Sequence, residues 1–241
     1  MSNLLLIGKD LPEAVDFAEA LVSSGKQVFA VSKNETDVKN FESQNIFSAV
    51  WNKGSSISTH SLLLNAQNKF EKIDEVIFYF DASYFASKFD TDKIEDFAPA
   101  MDFMMTSFLY SSAELLRRVD QKQEKLSVLF LVKEAPSKYD AASQKSSIIS
   151  PVSTVVSVAQ AAFEKIAENF SVNVVDRQYL SVILARILPN NELYKNDKGI
   201  AQWAVSSFES VASMKNHQNV KQAGAWNKVG SKIQTGFSLF K

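Results

Sequence analysis

Glu75-Val76-Ile77-Phe78-Tyr79-Phe80 carries one charge, at its first position, and is apolar from there on. So continuous a run reads as a strand buried on both faces, which is the condition of a parallel sheet covered by helices. Reading outward toward the N-terminus, shorter apolar runs at 4–7, 28–32 and 47–51 predict three more strands. Helical spacing lies between them. Residues 12–24 place Val15, Ala18, Leu21 and Val22 on one face and stop at Gly25, and 37–44 and 59–70 supply two further helices. Toward the C-terminus the pattern predicts a long helix over 94–119, started or interrupted at Pro99, and a strand over 127–132. A polar, serine-rich stretch over 133–150 follows, then a helix over 152–169, a strand over 172–175 and a helix over 197–214. Strands alternating with helices imply βαβ units with right-handed crossovers, hence an α/β fold with a doubly wound, mainly parallel sheet.

The bulk composition suits that architecture. The chain has 241 residues, 46% hydrophobic and 22% charged, enough for one large α/β domain with a substantial core. A formal net charge of −1 gives no global field to attract nucleic acid or an anionic membrane. There is no cysteine, so disulfides, thiolate catalysis and cysteine metal sites are excluded. The apolar run after Met1 is too short for a signal core, and no segment is long and apolar enough to span a bilayer. The expectation is a cytoplasmic protein with one domain over 1–225 and a C-terminal tail over 226–241.

Four stretches stand in a familiar order. Ile7-Gly8-Lys9-Asp10-Leu11-Pro12-Glu13-Ala14 follows the first strand. The run from Ile73 to Phe80 continues into Asp81-Ala82-Ser83. Ala159-Gln160-Ala161-Ala162-Phe163-Glu164-Lys165 lies in the late helix, and Ser171-Val172-Asn173-Val174-Val175 comes after it. In order and spacing the chain resembles the short-chain dehydrogenase/reductase family over roughly residues 1–215. The resemblance implies a Rossmann-like fold, a dinucleotide held over a glycine-rich turn, and a tyrosine–lysine pair on the late helix.

The residues at those positions depart from the family pattern. Of the three turn glycines only Gly8 remains; Pro12 and Ala14 stand at the other two places. Proline has no N–H to offer a phosphate. Asp10 and Glu13 put negative charge where a diphosphate belongs at a helix N-terminus, so Pro12 reads instead as the first helical residue, capped by Asp10 or Leu11. Candidate nucleotide contacts are Lys33, toward a 2′-phosphate, and Asn52, near an adenine; the competing reading of each is an ordinary turn residue. On the late helix the tyrosine position falls at Val156 and the lysine at Gln160, and the supporting asparagine aligns with Met104. Valine cannot transfer a proton and glutamine carries no charge to tune one. The family's serine falls near Val132-Lys133 or at Ser143. Tyr84/Lys88 and Tyr194/Lys198 repeat the family's residue types elsewhere and read as surface-loop pairs or as relocated chemistry.

Other chemistries find little support. His60 and His217 lie far apart with no carboxylate at metal spacing, so no metal site is expected. Asp90/Asp92 and Glu95/Asp96 read as helix-start charge.

The helices at 94–119 and 152–169 carry Met101, Leu109, Val155 and Val158. The second is apolar nearly all round, so it needs cover on more than one side. The resemblance implies a homodimer or homotetramer through these two helices. Val229, Ile233, Phe237 and Phe240 follow helical spacing in the tail, which predicts docking on its own domain or on a protein partner. Together these readings predict a catalytically inactive relative of the short-chain dehydrogenases, with no cofactor, serving as a homo-oligomeric scaffold or binding protein. The alternatives are an NAD(P)-dependent oxidoreductase with a rebuilt site using Tyr84/Lys88 or Ser143, and a non-catalytic nucleotide or metabolite sensor.

Overall fold

The structure is a computed structural model, and it describes residues 1–43, 45–89, 93–143, 149–213 and 224–233. Seven strands form one parallel sheet in the order β3-β2-β1-β4-β5-β6-β7. The strands are β1 (Ser2–Ile7), β2 (Lys26–Ser32), β3 (Ile46–Val50), β4 (Glu75–Asp81), β5 (Leu126–Lys133), β6 (Leu180–Ile187) and β7 (Trp226–Lys228). Strand order reverses between β1 and β4, which places a switch point at their C-terminal ends.

Side-chain alternation divides the core in two. Leu5, Ile7, Val76, Phe78, Phe80, Val128 and Phe130 point to one face. There they meet α3 (Ser56–Phe70), α4 (Ala82–Phe89), α6 (Ser107–Lys122) and α8 (Thr154–Asn173). Phe78 stacks on Phe130 at 4.8 Å, and Phe108 of α6 meets Phe163 of α8 edge-on at 4.8 Å. Leu4, Leu6, Ile77, Tyr79, Leu129 and Leu131 point to the other face, against α1 (Val15–Ser23) and α9 (Asp197–Ala212). All seven residues of β4 are buried, as its unbroken apolar run predicts. No described helix is long and apolar enough to cross a membrane.

Several boundaries differ from the sequence reading. Helix α1 begins at Val15, three residues after Pro12, and its cap position is Ala14, with no side-chain cap. The cause is upstream: the Leu11 N–H donates to Val31 O at 2.8 Å, so the chain crosses to β2 before it turns into the helix. The predicted strand at 172–175 is not one. Residues 172 and 173 extend α8, whose buried stripe Ala159, Phe163, Ala167 and Phe170 runs on at helical spacing, and the sixth strand is Leu180–Ile187. The long helix of 94–119 is a 3₁₀ turn (Ile94–Asp96), α5 (Phe97–Met101), a π turn (Asp102–Thr106) and then α6. Tyr84 and Lys88 belong to the helix α4, not to a loop. A short helix, α7 (Lys138–Ser143), interrupts the polar stretch, and α2 (Glu35–Phe41) starts two residues before its predicted position. The tail does not begin as a helix: Trp226–Lys228 pairs with Leu184–Arg186 as the edge strand β7. Phe237 and Phe240 lie outside the described residues, as do His217, Asp90 and Asp92.

Candidate functional site

The C-terminal ends of β1, β4 and β5 lie side by side, and each carries a charged residue at its end or just beyond it. Lys9 follows β1, Asp81 ends β4 and Lys133 ends β5. A fourth charge, Asp197, is the first residue of α9. These four form a ring in which Lys9, Asp81 and Lys133 are buried and Asp197 is partly exposed. Lys9 Nζ lies 3.2 Å from Asp81 Oδ2 and 2.5 Å from Asp197 Oδ2; Lys133 Nζ lies 3.2 Å from Asp81 Oδ2 and 3.8 Å from Asp197 Oδ1. Burial alone would pull the Lys9 ammonium below its ordinary value, but Asp81 and Asp197 together hold it above.

The segment between β6 and α9 is fastened over this ring. The Tyr194 hydroxyl donates to Glu134 O at 2.7 Å and lies 3.1 Å from Ser83 Oγ. Asn191 Nδ2 donates to Val229 O at 2.8 Å, and Asn196 caps α9 by accepting from the Gly199 N–H. Tyr194 and Lys198 therefore part company. Lys133 lies 5.0 Å from the Tyr194 ring, while Lys198 points to a loose surface pair with Asp16 at 3.7 Å.

A second buried pair lies toward β2 and β3. Lys53 Nζ contacts both Asp10 carboxylate oxygens at 2.9 and 2.7 Å and lies 3.3 Å from the Phe103 ring centroid. Burial is the main force on this ammonium and lowers it to about 8, against the pull of Asp10. Lys33 pairs with Glu13 nearby. The Tyr84 hydroxyl is buried with no hydrogen-bond partner among the described residues, and burial first, then the Asp10 charge, pushes it up. Lys88 sits 4.4 Å over the Tyr84 ring rather than at its hydroxyl. The structure thus brings Tyr84 and Lys88 together in a geometry that does not ease the phenol proton.

The remaining sequence candidates serve local structure. Met104 and Val156 are fully buried core residues. Gln160 Oε1 accepts from the Ala135 N–H at 3.1 Å and ties α8 to the end of β5. Ser143 is exposed and donates to Asp140 O within its own helix. Asn52 Oδ1 accepts from the Gly54 N–H in its turn. Among the described residues no three histidine, aspartate or glutamate side chains converge as a metal site would require. A cavity of about 680 Å³ opens at the opposite rim of the sheet, among Ser2, Glu75, Ser127, Tyr179, Ser181 and Phe208.

No protein-family model matches the chain, and neither does any curated protein. Solved structures do match. The 3-ketoacyl-(acyl-carrier-protein) reductase of Brucella melitensis, complexed with NADH, superposes at a TM-score of 0.64 with 9% identity, covering 95% of this chain and 96% of the other. The fold is that of the short-chain dehydrogenases/reductases. A short-chain dehydrogenase of Mycobacterium smegmatis gives 0.64 at 12% identity over 95% and 92% of the two chains. The enoyl-[acyl-carrier-protein] reductase (NADH) of Aquifex aeolicus gives 0.61 at 14% over 95% and 94%. At such identities the likeness is one of fold.

The residues at this rim of the sheet are engaged with one another. Gly8, at φ +115°, keeps its glycine because a Cβ there would lie 2.1 Å from Tyr79 O, so the residue serves close packing of β1 on β4. The Ala14 and Val15 N–H groups donate to Asp10 O and Pro12 O within the turn. Asp10 and Asp81 are each 2% exposed, so two carboxylates are buried here, each paired with lysine. Sequence reasoning missed the ring of Lys9, Asp81, Lys133 and Asp197. A signal existed: three of the four close adjacent parallel strands, and charges placed so are buried together.

Proposed function

We propose that this chain is a catalytically inactive short-chain dehydrogenase/reductase-like protein that works as a homo-oligomeric scaffold or binding protein. The observation that carries this reading is the ring of Lys9, Asp81, Lys133 and Asp197 at the switch point, where the fold ordinarily leaves a ligand crevice. Val156 and Gln160 support it, since neither moves a proton and Gln160 is engaged with backbone. Self-association runs through the helices at 94–119 and 152–169, where Phe97, Leu109, Tyr110 and Val158 remain between 38% and 51% exposed.

Two measurements test it. Calorimetric titration with NADH and NADPH gives no binding heat, and sedimentation velocity gives a species above monomer mass that Leu109→Glu and Val158→Glu dissociate. Saturable dinucleotide binding with turnover of carbonyl substrates would move the protein to the oxidoreductases; binding without turnover would make it a nucleotide sensor. A monomer at high concentration would remove the scaffold.

A further inference from the structure

The ring at the switch point is asymmetric. Asp81 sits on a strand end and is 2% exposed, whereas Asp197 sits at the start of α9, behind the 188–196 segment, and is 19% exposed. Both lysines touch both carboxylates, so each already has a fixed partner in Asp81. Removing Asp197 would leave two ammonium groups against one carboxylate in a buried site, a net positive charge that requires an anion. One further group points the same way. The Tyr79 hydroxyl is wholly buried, has no hydrogen-bond partner among the described residues, and feels both Asp81 and Asp197. Lys9 Nζ lies 5.5 Å from the Tyr79 ring centroid, and an unpaired O–H donor in such surroundings is a group that a small oxyanion would take up.

We propose that Asp197 is a built-in occupant of an anion site formed by Lys9, Lys133 and the Tyr79 hydroxyl, and that it latches the 188–197 segment shut over that site. A small carboxylate or phosphoryl anion displaces the Asp197 carboxylate, and the segment opens as it enters. The staples from Tyr194 to Ser83 and Glu134, and from Asn191 to Val229, keep the closed form favoured without a ligand. Both lysines keep Asp81 as a partner, which leaves charge for a single small anion whether or not the chain self-associates.

Hydrogen exchange on the full chain, at constant ionic strength, reads the latch directly. In Asp197→Asn, exchange over 188–199 quickens about tenfold or more while α6 is unchanged, because one charge-assisted contact pair is lost locally. Millimolar phosphate or acetate then slows that exchange saturably, an effect absent when Lys9→Met is added and weakened by Tyr79→Phe. Rescue by acetate alone assigns a carboxylate ligand, and rescue by phosphate alone a phosphoryl group. Rescue by neither overturns the site, and equal acceleration in α6 overturns the latch. Should Asp197→Asn fail to fold, Tyr194→Phe loosens the same segment with all four charges intact. There phosphate or acetate must speed exchange over 188–199, since the anion competes with Asp197, and indifference to both sinks the proposal.

Discussion

Lys53 offers the sharpest test of how the strand-end charges act on stability. Its ammonium is buried against Asp10 and the Phe103 ring, with Lys33 and Lys88 adding repulsion, and it loses its proton at about 8 instead of the ordinary 10.5. The folded protein therefore binds this proton less tightly than the unfolded chain does. Between pH 8 and 10.5 the unfolded chain still holds a proton that the folded one has released, so stability rises with pH across that window. The gap, at about 1.4 kcal/mol for each tenfold in proton affinity, amounts to about 3 kcal/mol. Lys53→Met removes this dependence and keeps most of the side-chain volume. It also leaves Asp10 without its cation, a cost that adds a constant offset above pH 7 rather than a slope. Urea unfolding of wild type and variant at half-unit steps from pH 7 to 10.5 separates the two. The wild-type advantage grows by about 3 kcal/mol over the range, with contributions common to both proteins, such as Lys88, cancelling. A difference that stays flat or shrinks would show that the lysine is not buried as described.

Three further outcomes follow from local geometry. Gly8→Ala drives a Cβ to 2.1 Å from Tyr79 O at φ +115°, so it costs more than about 3 kcal/mol in chemical denaturation, whereas Gly25→Ala, with open space around it at φ +86°, costs about 1 kcal/mol. Glu71, exposed at φ 63° where α3 ends, is strained for a residue with a side chain; Glu71→Gly raises stability by about 0.5–1 kcal/mol in the same assay. Glu114 is held down to about 2 by hydrogen bonds from Arg117, and then from Arg118 and His60, against an opposing push from burial. Its lowered value stabilises the fold above about pH 4.5 and is lost as pH falls toward 2, so Glu114→Gln flattens the acid limb of a thermal-melting profile by about 1 kcal/mol or less.

The strand–helix alternation was legible because each of the first five strands is a short apolar run bounded by polar residues, and a run such as Val76–Phe80 admits few other readings. The sixth strand was not. In 170–175 two periods overlap: Val172, Val174 and Val175 look like a strand, yet Phe170 and Val174 continue the helical stripe that Phe163 and Ala167 begin. Packing against the sheet settles that competition, and packing is invisible in one chain read linearly. Helix α4 is hard to read for a related reason: Ala82 and Phe85 are spaced for a helix, but eight residues directly after a strand leave too short a pattern to tell from a loop. That the residues at the family's turn-glycine and tyrosine–lysine places differ from its pattern is plain from residue identities. The ring formed by Lys9, Asp81, Lys133 and Asp197 is not, because these residues are up to 188 residues apart and each alone looks like the polar end of a strand or helix.

Strand β1, which precedes the other six along the chain, lies in the middle of the finished sheet. Leu4 and Leu5 pair with β2 as soon as Val28 and Phe29 emerge, but their other edge is matched by Glu75 and Val76. Until that stretch leaves the exit tunnel, a bare ladder of amide and carbonyl groups faces the cell, attached to side chains that end wholly buried. Synthesis at roughly 5–20 residues per second leaves it uncovered for several seconds. A slower ribosome, or a truncated message ending before Glu75, leaves this protein with an adhesive edge and no strand of its own to close it.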